Sequence, residues 1–247
     1  LKKRAPGAFV AQLSWPEVTR RIEAGAGAVL PVGAACKEHG PHLPMNADCL
    51  QAEWLAAAVV QHADVLVWPT VAYGYYPAFT DYPGSISLTR ETFQRMVQEI
   101  LGDIHRAGIR TLLLLNTGIS TIEPLQAATD AMAETLRIEL ANVYAGPRYR
   151  HLIQAIEEQP RGGHADELET SILLAIGAEH VALEQAETWT PTAMAVGGPF
   201  SRNDPDNPCY SPSGVWGDPR LASAEKGRRL LAAMVNDLLA VAAALRE

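Results

Sequence analysis

Three short runs concentrate residue types that bind metal ions or move protons. The first is Lys37-Glu38-His39-Gly40-Pro41-His42-Leu43-Pro44, followed by Asp48. Two imidazoles three residues apart stand beside carboxylates, and imidazole nitrogen with carboxylate oxygen suits zinc or manganese. The Gly-Pro and Leu-Pro pairs stiffen this loop, which lowers the ordering cost of gathering ligands. The plainer alternative is a polar turn whose histidines cap a helix or bind backbone. The second run, Asn116-Thr117-Gly118-Ile119-Ser120-Thr121, offers backbone N–H groups to an anion or, equally well, hydroxyls to cap a helix. It lacks the glycines of a dinucleotide fingerprint and the Gly-Lys of a P-loop. The third is Gly162-Gly163-His164-Ala165-Asp166-Glu167-Leu168-Glu169-Thr170-Ser171. His164 and Glu169 can reach one cleft at the start of a helix, whereas Asp166 and Glu167 also suit that helix's positive end.

The elements that position these runs follow from apolar patterning. Trp15–Ala24 reads as a helix with Ser14 at its N-cap and Pro16 in its first turn. Further helices are expected over Asp48–Ala63, Thr89–Ala107, Leu125–Leu136, His151–Glu158, Glu167–Ile176 and Ala222–Leu245. Continuous apolar runs at Ala28–Val32, Val65–Val71 and Thr111–Leu115 read as buried strands, with a further strand over Arg137–Tyr144. This alternation predicts an α/β fold: one domain over residues 1–247, with a mostly parallel sheet and helices on both faces. The active site of such a sheet lies beyond the C-terminal ends of its strands. Residues Gly197–Pro219 are rich in Gly, Pro, Asn, Asp and Ser and read as a long ordered loop or lid.

Composition sets the outer limits. The 247 residues carry 20 Lys and Arg against 28 Asp and Glu, a formal net charge of −8. That excludes the basic footprint of a nucleic-acid binder and makes a poor partner for anionic membranes. No apolar run reaches the ~18 residues that a membrane span needs. The basic opening Leu1–Arg4 is followed by no signal-type apolar segment before Pro6 and Gly7. Cys36, Cys49 and Cys209 are too scattered for a disulfide framework, which fits a reducing cytoplasm. No Gly-x-Ser-x-Gly elbow is present, which removes the commonest serine-hydrolase reading. His62, His105, His151 and His180 stand alone and are expected to be solvated. Tyr75, Tyr76, Phe79 and Trp216 are candidates for an aromatic pocket, with plain packing as the alternative.

Leu30-Pro31-Val32-Gly33, the His39–Pro44 run and Asp48 together resemble the opening motif of the creatininase (creatinine amidohydrolase) family. The similarity continues through Tyr73-Gly74, Tyr82–Leu88, Asn116, His164-Ala165 and Glu169-Thr170-Ser171. It spans residues 28 to 175. The resemblance implies a single α/β domain, often assembled as a hexamer, that hydrolyses C–N bonds of small cyclic or linear amides at a two-metal centre. His39 matches the family's first His ligand and Asp48 its bridging Asp. The family's Glu ligand falls on Lys37, and Glu38 is the candidate replacement. Gly118 and Ser120 stand where the family's second motif supplies a His ligand and, in creatininase itself, a Glu ligand.

The expected site is therefore altered and at most mononuclear. His39, Asp48 and Glu38 are the candidate ligands of one divalent ion, with zinc first and manganese or iron as alternatives. The Lys37 ammonium is expected to supply positive charge where relatives hold a metal. His164 is the expected proton shuttle, with Glu169 orienting it or a water. Two other readings stay open: a metal-independent acid/base enzyme using Lys37, Glu38, His164 and Glu169, and an inactive binding or structural homologue. The segment Ala222–Leu245 is apolar over much of its girth and needs cover on several sides. Either the Gly197–Pro219 loop or a neighbouring subunit could provide it, and a homo-oligomer is expected.

Overall fold

The structure, a computed structural model, describes residues 6–190 and 200–245. The basic Leu1–Arg4 opening lies outside these residues, as do positions 197–199 of the expected loop. Five strands form one sheet: β1 (Ala8–Phe9), β2 (Gly27–Val32), β3 (Val65–Val67), β4 (Thr111–Asn116) and β5 (Arg137–Asn142). Their order is β1-β3-β2-β4-β5, and every pairing is parallel. The short β1 gives too little apolar pattern to be read from sequence. The run expected as a strand over Val65–Val71 pairs only to Val67, and Val71 returns as a single bridge to Val32. Pro69 interrupts it, because a proline has no N–H to give the ladder.

Among the described residues seven α-helices flank the sheet: α1 (Trp15–Glu23), α2 (Ala47–His62), α3 (Arg90–Arg106), α4 (Ile122–Asp130), α5 (Pro147–Ile156), α6 (Glu167–Ile176) and α7 (Ala224–Ala244). Alternate strand residues face opposite sides. Ala28, Leu30, Leu112 and Leu114 pack with α3 and α4, while Val29, Leu113 and Leu115 pack with α2, α5, α6 and α7. Both faces are thus apolar, which is why these strands read as continuous hydrophobic runs. Ser14 takes the N-cap position of α1 without a side-chain cap bond, whereas Thr89, Asp166 and Ser223 cap α3, α6 and α7. α4 stops at Asp130, short of the expected Leu136, in a run of turns.

Helix α7 finds its cover inside the chain. It packs on α6, α5 and α2 and touches β4 and β5, which buries Leu230, Leu231, Met234 and Leu238. Its girth therefore requires no neighbouring subunit, and the argument from this helix to an oligomer does not hold. The approach of α7 to α6 is close enough that a Cβ on Gly227 would overlap the Ser171 carbonyl. Among the described residues no helix is long and apolar enough to cross a membrane.

Strand order reverses around β2: the chain goes from β2 out to β3, then back to β4 on the other side. Val32 ends β2 directly beside Asn116, the end of β4. The first and second polar runs leave the sheet at these two ends, the place where an open parallel sheet binds ligands.

Candidate active site

The loop after β2 folds back on itself. Lys37 N–H donates to the Met45 carbonyl, and Cys49 N–H to that of Ala34, so that Asp48 enters the first turn of α2 facing the loop. Thr117 Oγ donates to the carbonyls of Val32 and Asp48, tying the end of β4 to the same place. Gly40 adopts φ 71°, a left-handed turn that a side chain would strain, and this points its N–H at Glu38 Oε1.

The resulting cluster is buried and ionic. Lys37 Nζ lies 2.7 Å from Asp48 Oδ2, and His39 Nε2 lies 3.0 Å from Asp48 Oδ1. The Lys37–Asp48 contact is a charged pair at hydrogen-bonding distance. Burial disfavours the Lys37 ammonium, but the carboxylates of Asp48, Glu169 and Glu38 outweigh burial and hold it above its ordinary value. Burial likewise opposes the Asp48 charge, and Lys37 and His39 overcome it, leaving Asp48 well below the usual carboxylate range. The aromatic rings of Phe79 and Tyr76 lie 4.9 Å and 5.9 Å from Lys37 Nζ and complete its shell.

His39 Nδ1 lies 2.9 Å from the Lys37 carbonyl, which can only accept. That contact engages Nδ1 as donor and leaves Nε2 facing Asp48. Glu169 joins them: one ligand atom each from His39, Asp48 and Glu169 lies within 4.8 Å of the others. His39 Nε2 and Asp48 Oδ1 lie 3.0 Å apart, and Glu169 closes the group. The donor set of one nitrogen and two carboxylates fits a single divalent ion.

Glu38 does not join this group. It turns to Gly40 N–H and to His164, whose Nε2 lies 2.9 Å from the Glu38 carbonyl and 3.1 Å from Glu38 Oε2. Burial opposes both charges. The pair's attraction prevails, so Glu38 is lowered and His164 raised. His164 Nδ1 faces Glu169 Oε2 at 3.7 Å. The backbone turns sharply here: Ala165 has φ 48°, and its N–H donates to Glu169 Oε2 at 2.6 Å. Such strain in a non-glycine residue recurs at functional loops. Asp166 caps α6 through Leu168 N–H and Glu169 N–H, and burial with the Glu169 charge pushes it up to about 6. Glu167 is a structural residue, fully buried and paired with Lys226 at 2.5 Å.

Further residues surround the cluster, of which sequence reading missed Phe200. His42 Nε2 hydrogen-bonds Thr170 Oγ1 at 2.8 Å, which links the first run to the turn that carries Glu169, and burial lowers His42 to about 4. Phe79 lies 4.4 Å from His164, and Phe200 stacks on Phe79 and reaches Trp216. Tyr76 and Phe79 are buried against Lys37, and Phe79 joins Phe200 and Trp216 beside His164, whereas Tyr75 packs with the other core, beneath α3 and α4. The second run closes on itself. Asn116 Oδ1 accepts from Gly118 N–H and Thr121 Oγ, and Ser120 Oγ donates to the Tyr75 carbonyl. None of its side chains joins the His39–Asp48–Glu169 group.

A cleft of about 290 Å³ opens beside Glu169, bordered by Ile119, Tyr144, Tyr149, Glu157 and Asp166. It sits past the C-terminal ends of β4 and β5, and Glu169 is the member of the cluster that borders it.

Residues 11–242 match the creatininase family, described as creatinine amidohydrolase. The chain belongs to the creatininase family. Creatinine amidohydrolase of Pseudomonas putida is 28% identical over 258 residues, covering 97% of this chain and 96% of that one. The mycofactocin precursor peptide peptidase of Mycolicibacterium smegmatis is 27% identical over 84% of this chain and 81% of its own. A crystal structure of creatinine amidohydrolase superposes with a TM-score of 0.81 at 25% identity, covering 98% of this chain and 99% of that one. A creatininase variant of zinc–zinc type has a TM-score of 0.78 at 26% identity, with 97% of each chain covered. Family members are hydrolases acting on C–N bonds.

Proposed function

We propose that this chain hydrolyses a C–N bond of a small cyclic or linear amide, using His39, Asp48 and Glu169 to hold one divalent ion. The observation that carries the reading is the convergence of those three ligand atoms within 4.8 Å, next to a buried His164–Glu38 pair. An ion bound there would polarise the amide carbonyl and make water a stronger nucleophile. Zinc or manganese suits the donor set.

The chain's own residues supply the rest. Glu38 anchors Nε2 of His164 and favours its charged form, which turns Nδ1 toward Glu169. His164 is thereby placed to give its Nδ1 proton to the departing nitrogen, since an amine leaves more readily than an amide anion. Glu169 lies at that edge of the ring and would also offer a carboxylate oxygen to the ion. Phe79 and Phe200 pack against His164 and exclude water from its flank. The cleft volume suits a small molecule, with Tyr144 and Tyr149 as its apolar walls.

The test is a panel of lactams, cyclic ureas and formamides, assayed with protein stripped of metal and reloaded with zinc or manganese. Turnover that needs the ion, and that falls on His164→Ala, supports the reading. Turnover unaffected by chelator would instead favour the metal-independent acid/base reading, which has its own support. The Lys37–Asp48 and Glu38–His164 pairs already balance much of the buried charge. A hexamer enters this reading on family resemblance alone, because α7 is covered within its own chain. A cytoplasmic setting rests on three free cysteines.

A further inference from the structure

The carboxylate of Asp48 is engaged on both sides. Oδ1 faces His39 Nε2 at 3.0 Å, and Oδ2 faces Lys37 Nζ at 2.7 Å. A carboxylate that serves two metal ions gives one oxygen to each. Here one of those positions holds a tethered ammonium. Lys37 and Asp48 have side-chain exposures of only 7% and 2%, so water cannot screen the pair. The ammonium also lies within the field of Glu169 and Glu38. The second run supplies no further ligand, since Gly118 carries no side chain and Ser120 Oγ is committed to the Tyr75 carbonyl. The zinc–zinc type of a relative and this donor set therefore disagree.

We propose that Lys37 is the built-in second cation of this site, filling with its ammonium the position and the charge of one divalent ion and so limiting the chain to a single ion. The inference rests on the one-ion reading above and adds the residue that sets the count. Its charge logic is direct. Lys37→Glu removes one positive charge and adds one negative, a change equal to the charge of one divalent ion, and it restores a carboxylate beside Asp48. Lys37→Met removes the ammonium and frees Asp48 Oδ2 but adds no ligand.

Metal content answers this without any substrate. The full chain is stripped with chelator, loaded with zinc or with manganese, freed of excess, and weighed by native mass spectrometry alongside elemental analysis. The wild-type chain is expected to hold one ion per subunit and Lys37→Glu two. Lys37→Met is expected to hold one tightly and to show a second, weaker binding step on titration. This second variant keeps the question open to refutation if Lys37→Glu fails to fold, which circular dichroism reports. Two ions in the wild-type chain, or a single ion in both variants, overturn the inference and leave the one-ion site standing or enlarged. No ion in the wild-type chain overturns the one-ion reading itself, and the inference with it.

Discussion

His164 depends on Glu38 more than on any other neighbour. The carboxylate gives the imidazolium both a hydrogen bond at 3.1 Å and a compensating charge in a buried site. Glu38→Gln keeps an oxygen for Nε2–H and removes the charge. We expect kcat to fall about 100-fold, the scale of a lost general acid, with the alkaline limb of the pH–rate profile displaced to lower pH and KM little changed. The same pair predicts stability without any assay of turnover. His164 is raised in the fold above its ordinary 6.5. Its contribution is therefore complete below about pH 6.5 and is lost as pH rises through the folded value. Chelator-treated protein should show an unfolding midpoint that declines above pH 7, and Glu38→Gln should flatten that decline. An unchanged slope in the variant would disconnect the pair from stability. The candidate residues themselves were legible, since His39, Asp48, His164 and Glu169 stand in dense polar runs. Their grouping was not. Glu38, adjacent to His39 in sequence, is drawn away by Gly40 N–H and His164, and distant Glu169 takes the place beside His39 and Asp48. That exchange depends on α6 packing against α2 on one face of the sheet, which no local spacing encodes.

At the scale of elements, the position of Glu169 is set by how α6 meets α7. Gly227 lets the two helices touch through backbone, with Ser171 on the facing side. Gly227→Ala should force them apart and cost about 3 kcal/mol, the upper end of overpacking, with weaker metal retention because α6 carries Glu169. Gly102 in α3 provides the contrast, since nothing lies within 4 Å of a Cβ built there. Gly102→Ala should stabilise by about 0.5–1 kcal/mol through helix propensity alone. Urea melts of both variants check the pair, and similar signs for the two would contradict the packing account. Apolar periodicity found six of these seven helices to within a few residues. α4 was placed late because its apolar pattern continues past Asp130 into turns that pack Leu136 under the sheet. Strand β1 escaped notice because two residues carry no periodicity.

For the whole molecule, the question is what an assembly would use. Sequence pattern pointed to α7, whose Ala- and Leu-rich run needs cover on several sides. The fold answers that need with α2, α5 and α6, and leaves to solvent a stripe formed by Ala232, Asn236 and Ala240. These are small or polar residues, spaced four apart on one side of the helix. A stripe of that kind offers little apolar area, and burying it would contribute little to association. Exposed apolar side chains lie elsewhere: Trp15 is 80% exposed and Ile119 66%. An oligomer, if formed, should therefore not depend on α7. Ala232→Glu combined with Ala240→Glu puts two charges on the stripe, enough to split an interface centred there. We expect the double variant to keep the molar mass and the unfolding midpoint of the wild-type chain. Light scattering at micromolar concentration, followed by a thermal melt, measures both. A fall in mass would place the interface on α7 and show that its internal cover is incomplete.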